Sequence, residues 1–108
     1  MGFKDAKKKF IRALKNGEIQ HESRDWGKKW LAEDRIGLEE AVSILSQSRG
    51  QDSPGPTRHH FLTDVEVWIF KPRHNNERWY IKGYLLEEEL HILELHLISF
   101  HPSESSQP

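Results

Sequence analysis

The residues that could do chemistry cluster in the second half of the chain: Arg58, His59, His60, Lys71, Arg73, Tyr80, Lys82 and His101. They are the right types for breaking an RNA phosphodiester without a metal. A basic group takes the proton from the 2′-hydroxyl. An acid returns one to the departing 5′-oxygen. Lys or Arg stabilises the charge that builds on the pentavalent phosphorus. Histidine suits either proton transfer, because its charge changes near neutral pH. Taken singly each residue has a plainer use. An exposed Lys or Arg ordinarily just solvates a sheet, and His101, near the chain end, can be inert.

Other chemistries leave no trace. Cysteine is absent, which excludes disulfide frameworks and thiol catalysis and makes a reducing cytoplasm the expected compartment. There is no Gly-rich phosphate loop, Ser-centred elbow or His-Glu-x-x-His zinc motif. His59 and His60 are adjacent, and His91 and His96 are five apart. Such neighbours in a strand point to opposite faces, so neither pair is a ready metal site. No metal or cofactor is expected.

Three strands must position the set. The first is residues 63–70, where Val65, Val67 and Ile69 share a face opposite Glu66, Trp68 and Phe70. In the second, residues 78–86, Trp79, Ile81 and Leu85 oppose Tyr80, Lys82 and Tyr84. The third is residues 90–100. Only the first two alternate cleanly with a period of two. Short connections predict antiparallel neighbours in a meander. Residues 74–77, His-Asn-Asn-Glu, read as a hairpin turn because Asn tolerates positive φ. Glu87-Glu88-Glu89 makes the second turn. Pro72 and Pro102 end the first and third strands.

The chain before the strands reads as helical cover for the sheet. A first helix runs over residues 5–16, with Asp5 as its N-cap and Asn16-Gly17 as its stop. Its apolar side carries Phe3, Ala6, Phe10, Ala13 and Leu14; its opposite side carries Lys4, Lys8, Arg12 and Lys15. That lysine row is ordinarily a solvated face. Ser23 caps a second helix that ends at Gly37, with Trp26 and Trp30 stacked one turn apart as core. A third covers residues 38–48, with Leu38, Ala41, Val42 and Leu45 on its buried face. Residues 50–57 form an exposed loop of Gly, Pro, Asp and Ser.

The 108 residues suit a single domain over residues 1–102, with a disordered tail at 103–108. Hydrophobic residues make up 35% and charged residues 31%, which allows one small core. No apolar run is long enough to span a bilayer, and no secretory leader opens the chain. The net charge of −1 hides a basic first segment: residues 1–30 carry nine Lys or Arg against four Asp or Glu. An acidic remainder argues against indiscriminate nucleic-acid binding over the whole surface.

Several short motifs carry a family resemblance in their order and spacing. They are Lys15-Asn16-Gly17-Glu18-Ile19, Gly37-Leu38, Lys71-Pro72-Arg73, Trp79-Tyr80-Ile81-Lys82 and Ile98-Ser99-Phe100-His101. Across residues 6 to 101 the chain resembles the MqsR-type toxins, messenger-RNA interferases of the RelE-like superfamily in bacterial toxin–antitoxin systems. The resemblance implies an α+β fold, with N-terminal helices packed on a three- to four-stranded antiparallel sheet. It also implies metal-independent cleavage of mRNA, on the ribosome or off it, and a cognate antitoxin as partner. Tyr80 falls on the family's active-site tyrosine and Arg73 on its arginine after proline. His101 stands where the family has lysine, which exchanges a fixed charge for a group that also transfers protons. Val67 stands at the family's glutamine, and Arg58 or His60 are the nearest substitutes for its loop lysine.

The expected site is therefore Tyr80, His101, Arg73 and His60 as catalytic residues, with Lys71, Lys82, Arg58 and His59 holding RNA. Two other readings compete. One is a non-catalytic protein-interaction module; the other is an RNA-binding domain that stacks bases on Trp and Tyr.

Overall fold

A computed structural model describes residues 2–21, 30–53, 55–58, 65–87 and 93–103. The described elements are α1 (Phe3–Asn16), β1 (Ile19–His21), α2 (Leu38–Ser46), one 3₁₀ turn (Gly50–Asp52), β2 (Thr57–Arg58), β3 (Glu66–Phe70), β4 (Arg73–His74), β5 (Glu77–Glu87) and β6 (Leu93–Pro102). The fold is α+β, as the strand-rich second half and helical first half require.

The helix α1 forms because its apolar residues recur on one face. Ala6, Phe10, Ala13 and Leu14 are buried, and Gly17 closes the helix at φ 71° while its N–H reaches the carbonyls of Ala13 and Leu14. The start differs from the sequence expectation. Gly2, not Asp5, is the N-cap, and Asp5 pairs with Lys9 at 3.1 Å inside the helix. Phe3 packs its ring 5.7 Å from Phe70, so a tertiary contact draws the helix two residues further back.

The second expected helix does not appear where it can be seen. Residues 22–29 lie outside the described part, and residues 30–36 are turns and bends. Trp30 donates its N–H to the Phe100 carbonyl at 2.9 Å, Arg35 bonds back to Trp30 at 2.8 Å, and Asp34 takes φ 58°. This segment is held by the end of β6 rather than by its own ladder. Trp30 lies edge-on against Trp79, 5.5 Å away, with the Arg35 guanidinium over its ring at 3.9 Å. In α2 the buried residues are Ala41, Ile44 and Leu45. Leu38, expected on that face, is 43% exposed because it occupies the first helical position.

The sheet is mixed, which corrects the expected all-antiparallel arrangement. The strand order is β1-β6-β5-β3-β2, with β4 pairing to β5. The meander β3-β5-β6 is antiparallel throughout, as expected, but β1 lies parallel to β6, Ile19 beside Leu95. The sheet thus gains two short outer strands beyond the expected three or four. These are β1 and the edge strand β2, which begins at the last residue of the expected 50–57 loop; that loop also contains the 3₁₀ turn. Asn75 and Asn76 take φ 51° and 64°, the mirror-image turn that joins β4 to β5.

One face of the sheet meets the helices. It carries Trp68 and Phe70, Trp79 and Ile81, and Leu95, Leu97 and Phe100, all buried with the apolar side of α1. Phe10 sits edge-on to Phe70 at 5.0 Å. Losing such a buried ring costs on the order of 3–5 kcal/mol. Ser103, expected in a frayed tail, is instead 8% exposed and donates its N–H to the Arg78 carbonyl. Among the described residues no helix is long and apolar enough to cross a membrane.

The β5–β6 register slips by one residue. Lys82 pairs with Ser99 and Gly83 with Leu97, so Ile98 is an extra residue in β6. A Cβ on Gly83 would lie 2.7 Å from the His96 carbonyl oxygen, a rigid backbone atom. Gly83→Ala is therefore expected to destabilise the fold by about 1–3 kcal/mol, the usual cost of overpacking a tight site. Urea denaturation of the two proteins measures it; equal midpoints would show that the slip does not need glycine.

Candidate active site

The slip decides which side chains share the face turned away from the helices. Leu95 and Leu97 point at the core before it. Phe100 points there after it, which puts Ser99 and His101 on the opposite side. Opposed residues of an antiparallel pair project to the same face. The partners across β5 and β6 are therefore aligned in rows: Tyr84 with His96, Lys82 with Ser99, Tyr80 with His101. Ring positions agree. Tyr80 and His101 have centroids 5.6 Å apart, and Tyr84 stacks on His96 at 4.9 Å and 7°.

The strand β3 extends the rows. Ile69 pairs with Lys82 and Phe70 with Ile81, and the same register resumes at Arg73 with Arg78. The Trp79 N–H donates to the Pro72 carbonyl at 2.8 Å between them. Lys71 consequently falls opposite Tyr80, giving a row Lys71–Tyr80–His101. Lys82 lies two residues along β5, about 7 Å away. Arg73 is one row further in the other direction. It is exposed, while its neighbour His74 turns to the helical side and meets Gln47.

Charge is distributed unevenly over these rows. Arg78 is committed: its guanidinium donates to the Lys71 carbonyl at 2.8 Å and lies 3.6 Å from Asp52. Asp52 is shared with Arg49 at 3.4 Å. Lys71, Lys82 and Arg73 have no acidic partner among the described residues. Glu94 and His96 occupy the far end of the face. Glu94 accepts from Gln20 at 3.3 Å and lies 3.2 Å from His96 Nε2, close enough for an ion pair but without hydrogen-bond alignment.

The imidazole of His101 has a defined orientation. Its Nδ1 lies 2.7 Å from the Pro102 carbonyl oxygen. A carbonyl only accepts, so Nδ1 carries the hydrogen and the neutral ring keeps its lone pair on Nε2. That is the arrangement of a general base. His101 exposes 7% of its surface, whereas Tyr80, Lys71 and Lys82 are half-buried. Burial raises the Tyr80 pKa above the ordinary phenol value of 10.0, so at neutral pH the hydroxyl keeps its proton and can donate it.

Of the eight expected residues, Tyr80, His101, Lys71 and Lys82 are brought together in two adjacent rows, and Arg73 lies beside them. His59 and His60 lie outside the described residues. The backbone of Arg58 pairs with Glu66 at the β2 edge. Val67 faces the Tyr84 row and is 2% exposed, while Trp68 points into the core and Glu66 is exposed. Ser99, Tyr84, His96 and Glu94 were not among the expected site residues. Tyr84 was legible from its phase with Tyr80 and Lys82. Ser99 and His96 were not, because the slip at Ile98 hides which face they share. No family model matches the chain, and no curated protein or solved structure matches it.

The raised Tyr80 pKa has a measurable sign. Below pH 10 the phenol is protonated in both folded and unfolded chains, so it adds no pH dependence. Above pH 10 the unfolded chain releases this proton first, and stability falls as pH rises towards the folded pKa. The difference in phenolate absorbance between the native protein and Tyr80→Phe should therefore emerge above pH 10. Emergence at or below that pH would mean the ring is not desolvated.

Proposed function

We propose that this chain is a toxin-type endoribonuclease that cuts mRNA by metal-independent acid–base chemistry and is held in check by a cognate antitoxin. One observation carries the reading. The Tyr80–His101 pair lies on the sheet face away from the helices, with His101 Nδ1 tied to a carbonyl and, on either side, cations that have no acidic partner among the described residues. The motif resemblance to RelE-like interferases supports the same assignment.

His101 Nε2 takes the 2′-hydroxyl proton, and the 2′-oxygen attacks the adjacent phosphorus. The P–O5′ bond breaks, and Tyr80 gives its proton to the 5′-oxygen. A phenol remains a far stronger acid than the alcohol it generates, even with its pKa raised. Lys71 and Lys82 neutralise the non-bridging oxygens, and Arg73 holds the next phosphate along the strand. The products are a 2′,3′-cyclic phosphate and a 5′-hydroxyl. Water then supplies the proton that Tyr80 lost and removes the one His101 gained.

The low exposure of His101 favours, as a second reading, an RNA-binding face that does not cut. The two separate cleanly. Purified protein should cleave single-stranded RNA in the presence of EDTA, leave a cyclic phosphate, and spare a strand with a 2′-deoxy sugar at the scissile position. His101→Asn keeps an amide donor for Pro102 and should lose about 10²–10⁴-fold in rate, with Tyr80→Phe comparably impaired. Intact RNA under all these conditions, with or without ribosomes, sinks the nuclease reading. Salt-sensitive binding with no product would then leave the second.

A further inference from the structure

On the helical layer, across the sheet from Tyr80 and His101, α1 and the turn after α2 enclose an open groove of about 510 Å³. Its floor is apolar, formed by Phe3 and Ile11. Its rim is cationic: Lys4, Lys7, Lys8 and Arg49 line it, and no acidic side chain does among the described residues. Lys7 is fixed by a bond to the Ser48 carbonyl at 2.9 Å, and Arg49 is paired with Asp52. Lys4 and Lys8 have no acidic partner among the described residues. Ser48 also borders the groove; its side chain is 3% exposed, and its buried hydroxyl has no hydrogen-bond partner among the described residues. A buried hydroxyl without a partner is uncommon in a folded protein.

We infer that this groove docks an acidic, amphipathic helix from a partner protein. Lys4 and Lys8 are four residues apart, about 5–6 Å between Cβ atoms, which matches carboxylates four apart on a facing helix. The apolar floor takes a leucine-sized side chain from between those carboxylates. A helix lying in a groove is read through such i, i+4 anchors. A nucleic-acid backbone would use the lysines but leave the Phe3 and Ile11 floor uncovered, so the groove fits a peptide better than RNA. The inference does not depend on the nuclease reading, since none of these residues belongs to the Tyr80–His101 face.

The test uses the full chain and a synthetic fluorescein-labelled helix carrying glutamates four residues apart around leucine. Fluorescence anisotropy should show binding that the double variant Lys4→Glu/Lys8→Glu weakens about tenfold or more. A peptide with lysines in place of those glutamates should recover affinity for that variant only. Ile11→Ala should weaken the original pair through the floor, and circular dichroism verifies that each variant is folded. The inference is overturned if the acidic peptide binds native and charge-reversed proteins equally, or fails to bind at about 1 mM. It is also overturned if an oligouridylate displaces the peptide and loses its own binding in the double variant. RNA cleavage by Lys4→Glu/Lys8→Glu should match that of the native chain, which keeps this result apart from any failure of the nuclease site.

Discussion

The one-residue slip between β5 and β6 is the constraint on which the rest of the structure depends. Without it, strict alternation would place His101 on the same face as Leu95 and Leu97, and Phe100 on the other. An imidazole would enter the core and a phenyl ring would leave it. With Ile98 as the extra residue, Phe100 joins Trp79 in the core, edge-on at 6.0 Å, and His101 meets Tyr80. Gly83 permits this by leaving room for the His96 carbonyl where any other residue would carry a Cβ. The packing of the core and the chemistry of the opposite face are therefore set by one backbone irregularity.

A second level of organisation is electrostatic. The face bearing Tyr80 and His101 carries several cations, and they are not equivalent. Arg78 is used structurally, bridging the Lys71 carbonyl and Asp52 and so joining the 3₁₀ turn to the sheet. Its charge is largely answered inside the fold. Lys71, Lys82 and Arg73 have no acidic partner among the described residues, and they flank the Tyr–His pair whose imidazole is oriented by a carbonyl. The other pair, Tyr84 and His96, lies beside the carboxylate of Glu94. Two similar ring pairs on one face thus differ in the charged residues described around them.

Much of this was legible from residue order. The lysine-rich first helix with its Gly17 stop, the meander, the Asn75-Asn76 turn and the common face of Tyr80, Lys82 and Tyr84 all follow from local pattern. They depend on neighbours close in sequence. The expected helix over residues 23–37 failed in its described part because Trp30 is held by Phe100, seventy positions away in the chain.

By itself the sequence determined an α+β class, the strand count of the central meander and the residue types available for proton transfer. Those are matters of period, turn chemistry and composition, which a short window contains. Only the tertiary structure decided that β1 runs parallel to β6, that Leu38 stays outside the core, and that His101 rather than Phe100 faces Tyr80. Each of these depends on which distant backbone a segment meets. A two-residue period cannot reveal where one residue has been inserted into it until the partner strand is in place to set the register.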